Sequence, residues 1–361
     1  MDEYFMSLAI KEALKGLGYT SPNPMVGAII TRNNEILSCG YHRRYKTLHA
    51  ERNAILNCLD NLKGATLYVN LEPCCHSGNT PPCTDIIIQS GISRVVVGCL
   101  DPNPLVKGRG IKILNSHGIE TTVGVLNEES LNLNKVFFNY IKNKKPYVIM
   151  KYAMTLDGKI ATSTGDSKWI SGNSSRENVH RSRHINMAIM VGVGTILNDN
   201  PLLTCRDFNG KNPIRIICDT NLSTPLTSNV VNTAETIKTI IATSCNESNR
   251  LSQYKNAGIH IINVPKKENH IDLNILMDKL YQLKIDSVFL EGGSTLNFTA
   301  LSSGIVNKIE SYISPKLIGG VNAKSPIGGD GIKLIKNAVN TKLISTQIFD
   351  NDILLEWEVI N

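Results

Sequence analysis

Aromatic residues are scarce at 6% of the 361 positions, with only two tryptophans. A surface that grips extruded or single-stranded bases needs aromatic platforms among basic residues, so this composition argues against nucleic acid as the partner. Long apolar runs are also missing, and none approaches the roughly 20 residues of a membrane helix. The start, Met1-Asp2-Glu3-Tyr4, is acidic where a secretory leader is basic, and no cleavable apolar stretch follows. The expectation is a soluble, cytoplasmic chain with no membrane partner. Internal repeats and low-complexity segments are absent, which removes solenoid architectures. Nine cysteines, an odd number without a leader, read as buried thiols and metal ligands rather than a disulfide framework.

Apolar residues supply 42% of the chain and charged residues 19%, enough for real cores, and the length suggests two domains at about 150 residues each. The net charge is +7, from 38 basic and 31 acidic residues. That balance suits a mildly basic surface able to attract small phosphorylated molecules. The compact basic run Lys142, Lys144, Lys145 reads as a solvated linker.

Residues 2–15 place Phe5, Met6, Ala9, Ala13 and Leu14 on one helical face, and Gly16 and Gly18 end the pattern. Strands are expected at 25–31, 35–39, 66–70 and 94–100, with Asn33-Asn34 as a hairpin turn and helices at 49–59 and 83–89. This alternation predicts a three-layer α/β/α sandwich. A polar stretch at 139–146 breaks the pattern, giving domains 1–145 and 146–361. The second half restarts with a strand at 147–153 and continues with strands at 187–191, 214–218, 239–242, 259–264, 287–290 and 308–313. Helical patterns at 272–283 and 295–301 separate some of these, so a second α/β domain around a largely parallel sheet is expected.

His49-Ala50-Glu51 opens a helix, with Pro73-Cys74 and Pro82-Cys83 downstream. One imidazole and two thiolates fill three tetrahedral positions on zinc and leave the fourth for water, whose pKa the metal lowers to about 7. Glu51 stands two residues from the ligand, placed to move a proton from that water to a leaving amine, which is the His-x-Glu plus Pro-Cys pattern of zinc base deaminases. A closed structural site would need a fourth ligand, for which Cys75 and His76 stand near. It would have no use for Glu51, so the pattern favours catalysis. Eight residues separate Cys74 from Cys83, where the common form is Cys-x-x-Cys.

The string EPCCHSGNTPPC and the upstream segment from Thr20 to Ala28, TSPNPMVGA, together resemble the bifunctional deaminase–reductase family of riboflavin biosynthesis. That resemblance implies a cytidine-deaminase-like first domain in which His49, Cys74 and Cys83 hold zinc and Glu51 is catalytic. It also implies that Asn23, His42, His76, Asp101 and Asn103 bind the deaminase substrate. Read alone, Asn23 shapes a turn, His42 is a structural histidine, and Asp101-Pro102-Asn103-Pro104 is a loop. Asn79 stands where the family usually has a basic residue.

In the second half, residues 151–161 (KYAMTLDGKIA) read as a hairpin turning at Asp157-Gly158. Val191-Gly192-Val193-Gly194-Thr195 lacks the third glycine of a dinucleotide fingerprint, since position 197 is Leu197. Glu291-Gly292-Gly293-Ser294-Thr295 lies between a strand and a helix, where backbone N–H groups can hold phosphate, but by itself that signal is weak and an ordinary strand-to-helix turn is the better reading. Together with Asp199-Asn200-Pro201-Leu202-Leu203-Thr204, these strings resemble the same family's NADPH-using reductase domain, whose fold is similar to dihydrofolate reductase. The resemblance implies that Ala153, Trp169, Thr195, Asp199, Gly292, Gly293, Ser294 and Thr295 bind NADPH. It implies likewise that Ser167, Arg183, Leu203, Arg206 and Glu291 bind the ribosyl-phosphate substrate. A planar guanidinium suits a phosphate, Trp169 taken alone reads as a core anchor, and Lys151 is a further substrate candidate.

The resemblance implies a zinc-dependent deamination of 2,5-diamino-6-(5-phosphoribosylamino)pyrimidin-4(3H)-one. An NADPH-dependent reduction of the ribosyl side chain of 5-amino-6-(5-phosphoribosylamino)uracil to ribityl then completes the sequence. The zinc trio alone would also allow a nucleic-acid base deaminase with an appended domain. The resemblance further implies a homo-oligomer, dimer or tetramer.

Overall fold

The computed structural model describes residues 1–76, 81–206 and 210–360. Two compact units divide it, Met1–Lys144 and Lys145–Asn361.

In the first unit, helix α1 (Asp2–Ala13) precedes strands β1 (Gly27–Arg32) and β2 (Glu35–Tyr41), then α2 (Ala50–Asn57), β3 (Thr66–Leu71), α3 (Cys83–Ser90) and β4 (Arg94–Cys99). The helix α4 (Arg109–Ser116), strand β5 (Glu120–Val123) and helices α5 (Asn127–Leu133) and α6 (Lys135–Asn143) complete it. The five strands are ordered β2-β1-β3-β4-β5. β1 runs antiparallel to β2 and β3, whereas β3, β4 and β5 are mutually parallel. Asn33 and Asn34, both at positive φ, make the β1–β2 turn, as two-residue hairpins require.

Ile29, Tyr68 and Val96 pack under Phe5, Met6 and Ala9 of α1. Their neighbours Ala28, Ile30, Leu67, Val69, Val95 and Val97 point the other way, onto Ala50 and Ala54 of α2 and Ile87 of α3. Both faces of the sheet are thus covered, which makes the three layers and explains why the strands read as continuous apolar runs. Leu14 departs from expectation: it lies in a short 3-10 turn after α1 and is exposed.

The second unit begins with β6 (Tyr147–Thr155), α7 (Asn173–Ile185), β7 (Ala188–Gly192), α8 (Val193–Asp199), β8 (Ile214–Cys218), α9 (Asn229–Asn232) and β9 (Thr239–Thr243). It continues with α10 (Ser248–Asn256), β10 (His260–Asn263), the small β11 (Lys266–Lys267) and β12 (His270–Ile271), α11 (Leu273–Gln282), β13 (Ser287–Leu290) and α12 (Ser294–Ser302). Three strands end it: β14 (Lys308–Ser314), β15 (Asn340–Phe349) and β16 (Asp352–Ile360). Nine strands form one sheet in the order β10-β9-β8-β7-β13-β6-β14-β16-β15. It is parallel up to β14, after which β16 and β15 add an antiparallel hairpin.

Two features differ from the sequence reading. The closing hairpin is one, because β15 is exposed along most of its length and carries no clean alternation. The hairpin expected at 151–161 is only a turn: Thr155 donates its N–H to Lys159 O at 2.9 Å, yet no second strand follows. The Asp157 carboxylate instead accepts from the N–H groups of Ile318 and Gly319, drawing the chain toward another loop.

Gly27 is where α1 crosses β1, and a Cβ there would sit 2.1 Å from Ala9 O and 2.5 Å from Ala13 N. Gly27→Ala should therefore lower the unfolding free energy by roughly 3 kcal/mol, as overpacking against rigid backbone does. Urea unfolding measures this, and a loss below about 1 kcal/mol would show that α1 can simply retreat.

Candidate active sites

His49 is the N-cap residue of α2, and Cys83 is the first residue of α3. Cys74 lies in the loop leaving β3, and its carbonyl accepts the N–H groups of Cys83 and Thr84 at 3.0 and 3.2 Å. The Cys83 N–H also points at Cys74 Sγ, 3.4 Å away. These contacts bring His49 Nδ1 to 3.5 Å from Cys74 Sγ and 3.4 Å from Cys83 Sγ. All three donor atoms lie within 4.8 Å of one another.

A tetrahedral zinc with bonds of about 2.3 Å to sulfur and 2.0–2.1 Å to nitrogen separates those donors by about 3.5 Å, so the trio fits the metal. The Cys74 thiol is pulled well below its usual range, first by the hydrogen bond with Cys83 and then by His49. His49 is raised by the same Cys74 contact. Glu51, 3% exposed, meets the Cys83 sulfur, and burial pushes its carboxyl up.

Beside the trio, His42 is buried with its ring edge-on to His49, centroids 5.4 Å apart. Its Nδ1 donates to Leu48 O at 3.0 Å; a carbonyl can only accept, so Nε2 is the bare nitrogen facing Asn23 Nδ2 at 3.3 Å. Burial lowers the His42 pKa, which favours this neutral form. Asn23 is held in turn by its neighbours, since Met25 exchanges hydrogen bonds with the Asn134 amide and Gly27 donates to Asn70 Oδ1. Asp101 is buried and pushed up to about 7 by desolvation, while the Asn103 N–H donates to its Oδ1 at 2.7 Å. His76 is exposed. Asn79 lies outside the described residues.

Glu72 is not singled out by its sequence position, yet it organises this edge. Its buried carboxylate accepts N–H groups from Asp101 (3.2 Å), Gly108 (3.0 Å), Gly110 (3.1 Å) and Ile111 (3.4 Å). One side chain thereby fixes the Asp101–Asn103 loop and satisfies the start of α4, where anions are favoured. No local pattern reveals it, because its partners are backbone groups 29 to 39 residues away in the chain.

In the second unit a cleft of about 1710 Å³ opens along the C-terminal ends of β6, β7, β8 and β13. That exceeds the 300–1,000 Å³ typical of one small ligand and leaves room for two. Ala153, Ser167, Trp169, Arg183, Thr195, Asp199, Leu203, Arg206, Glu291 and Gly292 to Thr295 all line it, as does Lys151. Trp169 is no core anchor: it is 60% exposed on the cleft wall, with the Arg176 guanidinium 4.7 Å over its ring. Gly292 has no room for a side chain, since a Cβ would meet Asn297 Oδ1 at 2.8 Å. Gly293, the N-cap of α12, faces open space, so the helix start is accessible to a ligand.

Arg183 departs from the picture of a free phosphate fork. Its Nε and Nη2 reach both oxygens of Glu291 at 2.6 and 3.0 Å, and Nη1 donates to Thr204 O at 3.0 Å. Lys151 Nζ lies 4.0 Å from the same carboxylate. Burial alone would raise Glu291, but Arg183 and Lys151 outweigh it and hold the carboxylate ionised.

Two family models match the chain. The cytidine and deoxycytidylate deaminase zinc-binding region covers residues 1–99, and the RibD C-terminal domain covers residues 146–355. The riboflavin biosynthesis protein RibD of Actinobacillus pleuropneumoniae is 52% identical over 357 residues, spanning 99% of this chain and 95% of its own. That of Aquifex aeolicus is 41% identical, with 98% of each chain covered. A diaminohydroxyphosphoribosylaminopyrimidine deaminase/5-amino-6-(5-phosphoribosylamino)uracil reductase from Thermotoga maritima is similar in structure, with a TM-score of 0.89, 37% identity and 99% of both chains covered. Acinetobacter baumannii RibD gives a TM-score of 0.90 at 31% identity, again over 99% of both.

Glu72→Gln tests the buried hub. The amide's NH2 would face N–H donors that have no other acceptor, so stability should fall by about 3 kcal/mol. Urea unfolding of the zinc-loaded chain reads the loss. Unchanged stability would show that the four N–H groups find other partners.

Proposed function

The chain belongs to the RibD family of riboflavin-biosynthesis proteins, and on that footing we propose how its two units divide a deamination and a reduction. As a member of that family it is a zinc-using deaminase and an NADPH-using reductase in one chain. Relatives that match nearly its whole length favour this reading over a nucleic-acid base deaminase. No described helix is long and apolar enough to cross a membrane.

The first unit removes the ring amino group of 2,5-diamino-6-(5-phosphoribosylamino)pyrimidin-4(3H)-one. The convergence of His49, Cys74 and Cys83 beside a buried Glu51 carries this assignment. Zinc, when held by the trio, supplies a Lewis acid that makes water a nucleophile at neutral pH. Glu51 takes a proton from the attacking water and gives it to the departing amine, and its burial, which raises its pKa, suits a group that must hold that proton between the two steps. Asn23, neutral His42, His76, Asp101 and Asn103 bind and orient the pyrimidine and its ribosyl phosphate.

The second unit reduces the open-chain ribosyl group of the product to ribityl. NADPH supplies the hydride. Ala153, Trp169, Thr195, Asp199 and Gly292 to Thr295 hold the cofactor, the last of these through the open N-terminus of α12. Ser167, Arg183, Leu203, Arg206 and Glu291 hold the substrate. Within that group Arg183 is engaged by Glu291, with Lys151 beside the same carboxylate, which leaves Arg206 to meet the phosphate.

As partner we read a second copy of the chain. β15 is an edge strand whose Leu343, Ile344 and Ile348 are 47%, 47% and 73% exposed, an edge that antiparallel pairing with its own copy would cover. Light scattering should give a mass near twice 39.7 kDa, falling to the single-chain value in Ile348→Lys. A single-chain mass before substitution would contradict it.

Glu51→Gln should lower deamination by about a thousandfold or more, with zinc content and NADPH-dependent reduction retained. Deamination within about tenfold of the unsubstituted chain would remove Glu51 as the proton carrier.

A further inference from the structure

Arg215, at the start of β8, is fully buried, and its donors all end on neutral oxygens. Its Nε and Nη2 reach Thr239 Oγ1 (2.9 and 2.6 Å), Nη2 also reaches Val230 O and Ile237 O (3.0 Å each), and Nη1 reaches Thr233 Oγ1 (2.7 Å). No carboxylate pairs with it among the described ion pairs, which is an expensive way to place a charge. Nη1 also donates to Leu202 O at 3.2 Å, and Leu202 belongs to the loop between Asp199 and Arg206 on the wall of the reductase cleft.

That loop is held in an unfavourable shape. Asn200 sits at φ 42° and Leu203 at φ 55°, and the left-handed region crowds the Cβ of a leucine against the following carbonyl. Three side chains from three elements take alternate carbonyls along it. Asn229 Nδ2 donates to Asn200 O at 2.7 Å, Arg215 to Leu202 O, and Arg183 to Thr204 O at 3.0 Å. The backbone N–H of Asn229 adds a bond to Asn200 Oδ1 at 2.8 Å. Inside the loop, the Leu203 side chain is buried in the core beside Ile196, Val230 and Val231.

We propose that Arg215 and Asn229 are positioning residues for the reductase reaction, clamping residues 200–204 so that Asp199 and the backbone of Leu203 present cofactor and substrate contacts in one fixed relation. This rests on the reading of the cleft as the NADPH and ribosyl-phosphate site. Neither residue needs to touch a reacting atom. Their effect is on geometry, and a displacement of 1 Å at a reacting centre costs about a hundredfold in rate.

The test is steady-state reduction by Asn229→Ala and Arg215→Lys, with KM for NADPH and for the pyrimidine substrate determined separately. Deamination and the thermal midpoint are read on the same samples. Asn229→Ala keeps the backbone N–H and removes one clamp at a half-buried position on the cleft wall. It should stay folded and deaminate normally, while reductase kcat falls about tenfold and both KM values rise together. Arg215→Lys keeps the charge but lacks the fork, and should lower kcat further. A role in stability alone would lower the melting point and leave kcat and both KM values unmoved below it. If Arg215→Lys does not fold, Asn229→Ala decides. Reduction within twofold in every folded variant overturns the clamp. Absence of NADPH-dependent turnover in the unsubstituted chain overturns the cleft reading beneath it.

Discussion

A loop that leaves the C-terminal edge of a parallel sheet must find partners for its backbone N–H and C=O groups, and buried ones left alone cost about 1–3 kcal/mol each. Both sites of this chain depend on how that demand is met. In the first unit the loop after β3 doubles back so that the N–H groups of Cys83 and Thr84 end on the Cys74 carbonyl. That closure places two sulfurs against His49. The next loop along the edge, after β4, is tied down by the single carboxylate of Glu72. In the second unit the same demand falls on the loop that runs from α8 to β8 along the cleft, which gives alternate carbonyls to Asn229, Arg215 and Arg183.

The same demand explains the buried polar groups. Asn70, fully buried, receives the Gly27 N–H and donates to Met25 O, fixing the backbone that carries Asn23. Asp352 accepts from the Gly172 N–H and the Ser175 hydroxyl at the start of α7, the helix that presents Arg183. These groups are not among the residues assigned to either ligand, but the site geometry stands on them.

The metal trio and Glu51 are legible in the sequence because their chemistry is written in short strings: His-x-Glu at a helix start, and cysteines after prolines. The reductase residues are legible only through resemblance, and all of them line one cleft. Glu72, Arg215 and Asn229 cannot be read that way, since their partners, mostly backbone groups with two threonine hydroxyls added for Arg215, stand 13 to 39 residues along the chain and no spacing encodes them. The β15–β16 hairpin escapes for a different reason. Its exposed edge strand mixes apolar and polar residues without period, so neither template fits it. At Trp169, residue type suggests a core anchor, whereas the backbone carries it to the open wall of a cleft.

Two reactions in succession on one phosphoribosylated pyrimidine are the work assigned to this one chain. Mass spectrometry of the diaminopyrimidine ribosyl phosphate, after incubation with the zinc-loaded chain and NADPH, tests that assignment most directly. The expected product has exchanged an amino group for an oxo group and gained two hydrogens on the sugar. A substrate mass unchanged after incubation, with zinc present in the protein, would contradict it.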